Sequence, residues 1–297
     1  MRAAPMNAAR VTVVVLTHNR VEQVLDTLAK LVALPDRPSV ILVDNASTDG
    51  TAQRVSLRYP SVRVVRSEAN LGAAGRNLGV ACVATDYVAF CDDDTWWQAN
   101  SLNRAVSILD AWPKVGVLSA RVVVGEDEAF DETCALMQAS PLGTPALPGP
   151  ALIGYMAGAS VFRTAVFRRA GGYEPKLFIG GEEELVALDV LASGLAIVYA
   201  DDLVVHHHPS TLRDSARRRR LLARNAAWIA WLRLPMHEAW RATLRALVLM
   251  RREGTLLRDA AAMFAALPWA LARRRVIPPR VRRMRAIVFE GQQRLDS

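Results

Sequence analysis

The sequence predicts an α/β fold built on a mostly parallel sheet and followed by a basic helical C-terminal region, and three observations carry that expectation. Between Val11 and about Asp94, short apolar runs that hardly alternate are separated by stretches of helical periodicity. Polar clusters stand where apolar runs end: THNR at 17–20, DNASTDG at 44–50 and DDD at 92–94. Charge divides the chain, because residues 213–297 hold 20 arginines against six acidic residues and so carry +14 of a total of +8, leaving −6 for residues 1–212.

The runs VTVVVL (11–16), SVILVD (39–44), VRVV (62–65) and YVAFC (87–91) read as strands buried on both faces. Val21, Val24, Leu25, Leu28, Leu31 and Val32 share one helical face. Ser101 is placed to cap a helix carrying Leu102, Ala105, Val106, Ile108 and Leu109. Residues 125–150, rich in Gly, Pro, Ser and acids, read as a loop. YMAGASVF (155–162) then reads as a strand, residues 182–193 as a helix, and LAIVYA (195–200) and LVVHHH (203–208) as two further strands. The pattern changes beyond Arg213, so a catalytic-type domain is expected over 1–212 and an arginine-rich helical region over 213–297.

With 297 residues at 52% apolar content the chain can bury a full core, which excludes general disorder. Cys82, Cys91 and Cys134 have neither disulfide-framework nor CxxC spacing and fit a reducing, cytoplasmic compartment. The six-residue run Val11–Leu16 does not read as a secretory signal, and the stretch around Ala260–Ala272 is broken by Pro268, so no membrane span is expected.

In sheets of this kind ligands bind beyond the carboxyl ends of the strands, so the polar clusters are expected on one rim. Asp92, Asp93 and Asp94 repel one another unless a cation neutralises them, and hard oxygen ligands select Mg²⁺ or Mn²⁺; the equal alternative is an acid-decorated helix N-terminus. Extended-chain alternation would send Asp92 and Asp94 one way and Asp93 the other. In NLGAAGRNLGV (70–80) the glycines and Arg76 suit an approaching phosphate, or else the small residues serve close helix–sheet packing. Glu182, Glu183 and Glu184 follow a glycine pair and open a helix, where a carboxylate could accept a proton. His206, His207 and His208 end a strand, and a histidine there is a candidate ligand beside an acid-bound divalent ion.

Together these segments resemble family 2 glycosyltransferases of the GT-A fold, the inverting enzymes that use nucleotide-activated sugars. VTVVVLTHNR is similar to that family's opening strand and loop, VDNASTDGT to its nucleotide-binding second strand, NLGAAGRNLGV to its glycine and arginine segment, VAFCDDDTWW to its DxD metal motif and GGEEELVALD to its acceptor-side acidic motif. The resemblance runs over about residues 10–210. It implies that Asp44, with Asn45 beside it, contacts the base or ribose, with Thr17 and Arg20 lining the same pocket, and that Arg76 approaches the pyrophosphate. It further implies Asp92 and Asp94 as the DxD pair, with Asp92 and Asp93 near the nucleotide sugar and His207, 24 residues beyond Glu183, as a further metal ligand. Glu183 is then the base, with Glu182 as the alternative or as a hydrogen-bonding partner of the acceptor. Where relatives commonly have Glu-Asp this chain has Glu182-Glu183, and the extra methylene shifts the reach of the base.

The implied reaction moves a sugar from a UDP-, TDP- or GDP-linked donor to a hydroxyl of a glycan or lipid-linked acceptor in cell-surface polysaccharide synthesis. Of Trp96 and Trp97, one is expected to face the pocket and contact donor or acceptor sugar while the other packs in the core. Rival readings are a non-catalytic sugar-nucleotide-binding subunit and a nucleotidyltransferase, although THNR is not the basic glycine-rich loop the latter would carry. In the tail, RRRR (217–220), RRR (273–275) and RVRRMR (280–285) alternate with Trp228, Trp231 and Trp240. Such helices suit an anionic membrane surface on the inner face of the plasma membrane, or else they pack their tryptophans on the domain or on another subunit of a homo-oligomer. No nucleic-acid motif appears.

Overall fold

The computed structural model describes residues 10–209 and 215–295, so the boundary expected near residue 212 lies outside the described residues. Strand β1 (Val11–Thr17) is buried along its length because it is an interior strand, paired in parallel with β2 (Ser39–Asp44) on one side and later with the strand ending at Asp92 on the other. Between the first two strands α1 (Val21–Val32) buries Val24, Leu25, Leu28 and Leu31, while Val32, at its end, projects to solvent. Helix α2 (Thr51–Arg58) connects to β3 (Arg63–Arg66), which adds to β2 in parallel. A 3₁₀ turn at Gly72–Gly75 runs into α3 (Arg76–Ala81), and β4 (Tyr87–Asp92) completes the first parallel set.

The sequence pattern underread the middle of the chain. Short β5 (Thr95–Trp97) and α4 (Ser101–Ala111) precede β6 (Val115–Val124), a central ten-residue strand that the periodicity did not announce. Gly116, Ser119 and Arg121 interrupt its apolar run: the Ser119 hydroxyl accepts a hydrogen bond from the Met156 amide at 3.2 Å, and the Arg121 guanidinium lies 5.1 Å from the Phe130 ring centre. Ser101 opens α4 rather than capping it, since Asn100 takes the left-handed cap position and the Ser101 hydroxyl accepts from the Val204 amide. The expected loop at 125–150 contains β7 (Ala129–Phe130) and α5 (Glu132–Gln138), whose first turn is capped by the Asp131 carboxylate, and β8 (Ala151–Leu152) follows it.

Within YMAGASVF only the end is a strand, β9 (Ser160–Arg163), because Ala157–Ala159 form a 3₁₀ turn; α6 (Thr164–Arg169) follows directly. After α7 (Glu182–Ala192), the two strands expected at 195–208 are one strand, β10 (Ala196–His207), irregular between Ala200 and Val204 where Asp201 and Asp202 bulge outward. The sheet order is β3-β2-β1-β4-β9-β6-β10-β5. β1 through β4 and the β6–β10 pair are parallel, and β9 is inserted antiparallel between β4 and β6.

The C-terminal region is helical: α8 (Ser215–Arg233), α9 (Met236–Arg252), α10 (Leu256–Ala265), α11 (Leu267–Ala272) and α12 (Pro279–Leu295). It is tied to α7 by polar bonds. Arg233 makes a two-pronged ion pair with Asp189, Arg280 donates to the carbonyls of Leu191 and Ala192 at the C-terminal end of α7, and Arg285 pairs with Glu184. Trp228 and Trp231 are buried, their indole N–H groups donating to the Met263 carbonyl and the Thr243 hydroxyl, whereas Trp240 is half-exposed against Trp231. Among the described residues no helix is long and apolar enough to cross a membrane.

Candidate active site

Strand register brings the polar clusters together. In the parallel ladder Thr17 stands opposite Asp44 and Leu16 opposite Asp92, so the chain segments leaving β1, β2 and β4 share one rim. A cavity of about 610 Å³ opens there, and its wall includes Thr17, Arg20, Asn45, Arg76, all three aspartates 92–94, Glu182 and Glu183.

The aspartates do not divide by strand alternation. β4 ends at Asp92 and the chain turns through Asp93 and Asp94, so the two-residue period stops before the triplet is complete. Asp92, partly exposed, is ion-paired to Arg76, whose guanidinium is buried. Gly158 lies against this carboxylate: a Cβ there would sit 2.6 Å from Asp92 Oδ2, which only glycine avoids without a shift. Asp93 is buried, accepts hydrogen bonds from Thr17 Oγ1 at 2.9 Å and Arg20 Nη1 at 3.0 Å, and shares that guanidinium with Asp94 Oδ2 at 3.5 Å. It therefore lines the cavity with its neighbours rather than pointing away. Burial pushes the Asp93 carboxyl up to about 6, against the pull of Arg20 and Thr17. His207 Nε2 lies 3.7 Å from Asp94 Oδ1.

Asn45 organises the loop at residues 70–72. Its amide donates to Asn70 Oδ1 and the Gly72 carbonyl, both at 3.0 Å, and its Oδ1 accepts from the Leu71 amide. Gly72, at φ +59°, is in turn held against the opposite wall: the Ala73 amide donates to the Phe178 carbonyl at 2.7 Å, and a Cβ on Gly72 would lie 2.0 Å from that oxygen. The loop at residues 70–75 and the loop before Gly180 are thus joined at one point.

On the opposite wall Gly180 and Gly181, at φ +90° and +89°, turn the chain into α7. Glu182 is buried with its Oε2 lacking a hydrogen-bond partner, and burial, reinforced by Glu183, raises its carboxyl to about 7. Burial also raises Glu183, whose side chain remains partly exposed in the cavity. Glu184 is set apart, since its carboxylate faces α12 and pairs with Arg285 at 2.6 Å.

Several residues stand elsewhere than the sequence suggested. Asp44 is buried beside the main cavity and lines a smaller one of about 190 Å³ with Arg66, whose Nε is 3.6 Å from it. Neither tryptophan lines the main cavity. Trp97 is wholly buried in the core, and Trp96 is stacked on His206 at 5.4 Å with the Lys30 ammonium over the Trp96 ring, 3.2 Å from its centre. Strand pairing explains this, because β5 lies antiparallel to β10 and sets Trp96 opposite His206.

Sequence reading missed the contribution of α8. Arg218, Leu221 and Leu222 line the cavity, and Asn225, fully buried, donates its amide to the carbonyls of Leu177 (2.8 Å), Ile179 (3.1 Å) and Gly180 (2.6 Å). Arg224 donates to Asn225 Oδ1 and so fixes which end of the amide faces the loop. The available signal was one amide residue amid the alanines, tryptophans and arginines of LLARNAAWIAW.

The sequence model described as "Glycosyl transferase family 2" matches residues 12–169, more than half of the chain, from the second residue of β1 through α6. This chain belongs to glycosyltransferase family 2. The family 2 transferase is 26% identical over 269 residues to the N-acetylglucosaminyl-diphospho-decaprenol L-rhamnosyltransferase of Mycobacterium tuberculosis, covering 78% of this chain and 87% of that protein. It is 30% identical over 145 residues to the amylovoran biosynthesis glycosyltransferase AmsB of Erwinia amylovora, covering 44% of this chain and 46% of that one. Its fold is shared with the mannosyltransferase PcManGT of Pyrobaculum calidifontis, solved with GDP-Man and Mn²⁺ (TM-score 0.57, 22% identity, 89% of this chain and 72% of that chain). S. aureus TarS 1-349 in complex with UDP-GlcNAc shares it as well (TM-score 0.56, 16% identity, 96% and 92%). The family 2 transferase is therefore a glycosyltransferase of the GT-A fold.

Proposed function

We propose that this transferase is a divalent-metal-dependent, inverting enzyme that moves a hexose or deoxyhexose from a nucleoside-diphosphate sugar to a hydroxyl of a lipid-linked glycan in cell-surface polysaccharide synthesis. The observation that carries the reading is the placement of the Asp92–Asp94 carboxylates and Arg76 in the same cavity as two glutamates of raised pKa at the start of α7. The rhamnosyltransferase relative, whose name specifies a diphospho-decaprenol-linked acceptor, supports the acceptor class.

The donor set fits a hard ion. Among the described residues no group of three or more His, Cys, Asp or Glu side chains is gathered to hold a metal unaided. Mg²⁺-type sites, however, commonly use one or two carboxylates and leave the remaining positions to substrate phosphates and water. Asp92 and Asp94 would hold such an ion, with His207 beside Asp94 as a further ligand. When bound, Mg²⁺ or Mn²⁺ would neutralise charge developing on the departing diphosphate.

The chain's own residues do the rest. Arg76, buried and fixed by Asp92, presents a cation to the same diphosphate, and the Asn45-ordered loop brings backbone close to it. Glu183 takes the proton of the acceptor hydroxyl while that oxygen forms its bond to the anomeric carbon and the bond from that carbon to the diphosphate oxygen breaks. Single displacement inverts the centre. Burial raises the Glu183 carboxyl and so strengthens it as a proton acceptor, while Glu182 hydrogen-bonds the acceptor sugar.

The test is Glu183→Gln, assayed with Mn²⁺ over a panel of UDP-, TDP- and GDP-sugars. Transfer should fall about 10²–10⁴-fold with donor binding retained. Wild-type transfer by that variant would remove Glu183 from the role, and silence of the native protein toward every donor would remove the metal-dependent donor reading itself.

A further inference from the structure

We infer that helix α9 is a membrane-docking element that lays one face on an anionic lipid surface. Ala239, Thr243, Ala246 and Met250 form its buried face and hold it on the protein. Next to that face, spaced four residues apart and hence aligned along the helix, stand Met236, Trp240, Leu244 and Val248, exposed at 49%, 50%, 58% and 52%. Four consecutive large apolar side chains at half exposure are a continuous stripe, not the scattered singles of an ordinary surface.

Charge identifies the occupant. Arg241, Arg245 and Arg252 border the stripe on the side away from the buried face, and Arg251 reaches from its C-terminal end, where a long side chain can lift its cation to the headgroup level. The acid of α9 within this span, Glu238, lies beyond the arginines, so the stripe meets cations first. An apolar strip edged by arginine matches acyl chain beside anionic headgroup, whereas a second copy of this cationic region would repel it. α10 packs on α9 and adds Leu257, almost fully exposed, and Phe264 to the apolar surface of this region. The inference rests on the lipid-linked acceptor proposed above, since such an acceptor is met at a bilayer surface.

Co-sedimentation of the full chain with vesicles tests it, using phosphatidylcholine alone and an equal mixture of phosphatidylcholine and phosphatidylglycerol. The native protein should prefer the anionic vesicles by about a thousandfold at low salt, as four arginines at about 1 kcal/mol each imply. Leu244→Glu/Val248→Glu should stay in the supernatant, while Leu57→Glu, at a still more exposed leucine on α2, should sediment like the native chain. Donor hydrolysis and transfer to a soluble acceptor should be the same in all three, which separates lost docking from lost folding. Unchanged sedimentation of the double variant, or native protein that ignores anionic lipid, would overturn the inference; so would a native dimer that the double variant dissociates in the absence of vesicles. If docking holds but the native enzyme rejects every lipid-linked acceptor, the acceptor reading fails and the docking face stands.

Discussion

The two walls of the cavity treat carboxylates in opposite ways. On the strand-end rim each acid is met by an arginine: Asp92 by Arg76, Asp93 by Arg20, and Asp44 by Arg66. On the helix wall, among the described residues, no ion pair reaches Glu182 or Glu183, and burial raises both, while Glu184 one position on is paired to Arg285. The rim therefore holds arginine-paired carboxylates, Asp93 and Asp94 sharing Arg20, and the helix wall holds carboxyls whose proton affinity burial raises. One element, α8, supports the second wall without belonging to either cluster.

The comparison breaks most severely if α8 is detached from the helix wall. Asn225→Leu leaves the carbonyls of Leu177, Ile179 and Gly180 without their amide donor, and should cost about 3–5 kcal/mol in chemical unfolding while lowering transfer more than donor binding. An unchanged unfolding midpoint would show that the loop before α7 orders itself. Next in size is the joint between the walls. Gly72→Ala forces a Cβ onto the Phe178 carbonyl at a positive φ, and should lose about 2–3 kcal/mol and weaken donor and acceptor binding together; an effect on only one substrate would show that the loops act separately.

A smaller effect, with the opposite sign, isolates the buried acid. Folding raises the Glu182 carboxyl from its ordinary 4.5 to about 7, so the folded state binds the proton more tightly. Its stabilising contribution is complete below about pH 4.5 and is lost as pH rises through about 7. Glu182→Gln should therefore match the native stability near pH 4.5 and exceed it by about 1–3 kcal/mol at pH 8, read from urea midpoints. Equal midpoints at both values would place the proton elsewhere. Smallest of all, Leu57→Ala on the exposed face of α2 should change stability by no more than about 0.5 kcal/mol.

How far the sequence reading reached depended on what kind of signal each residue carries. THNR, DNASTDG and DDD were legible as one rim because a parallel sheet fixes where strand ends go, and the register of Leu16 with Asp92 and Thr17 with Asp44 meets that expectation. Strand β6 was not legible, because Arg121 breaks its apolar run and Gly116 and Ser119 are accommodated by Leu195 and Met156, distant in sequence. Trp96 and Trp97 sit next to the acids in the chain yet leave the cavity, because β5 turns them onto β10 and into the core.

By itself the sequence determined the α/β class, the order of the motifs, the polar rim and the acidic start of α7, since strand burial, helical periodicity and glycine turns are written in neighbouring residues. Only the tertiary structure decided that Asp93 shares an arginine with Asp94, that Glu184 leaves the site, and that Asn225 of the basic C-terminal region clamps the loop before α7. Those outcomes depend on pairings between residues roughly 45 to 100 positions apart, whose free energy comes from desolvation and geometry that no local pattern records.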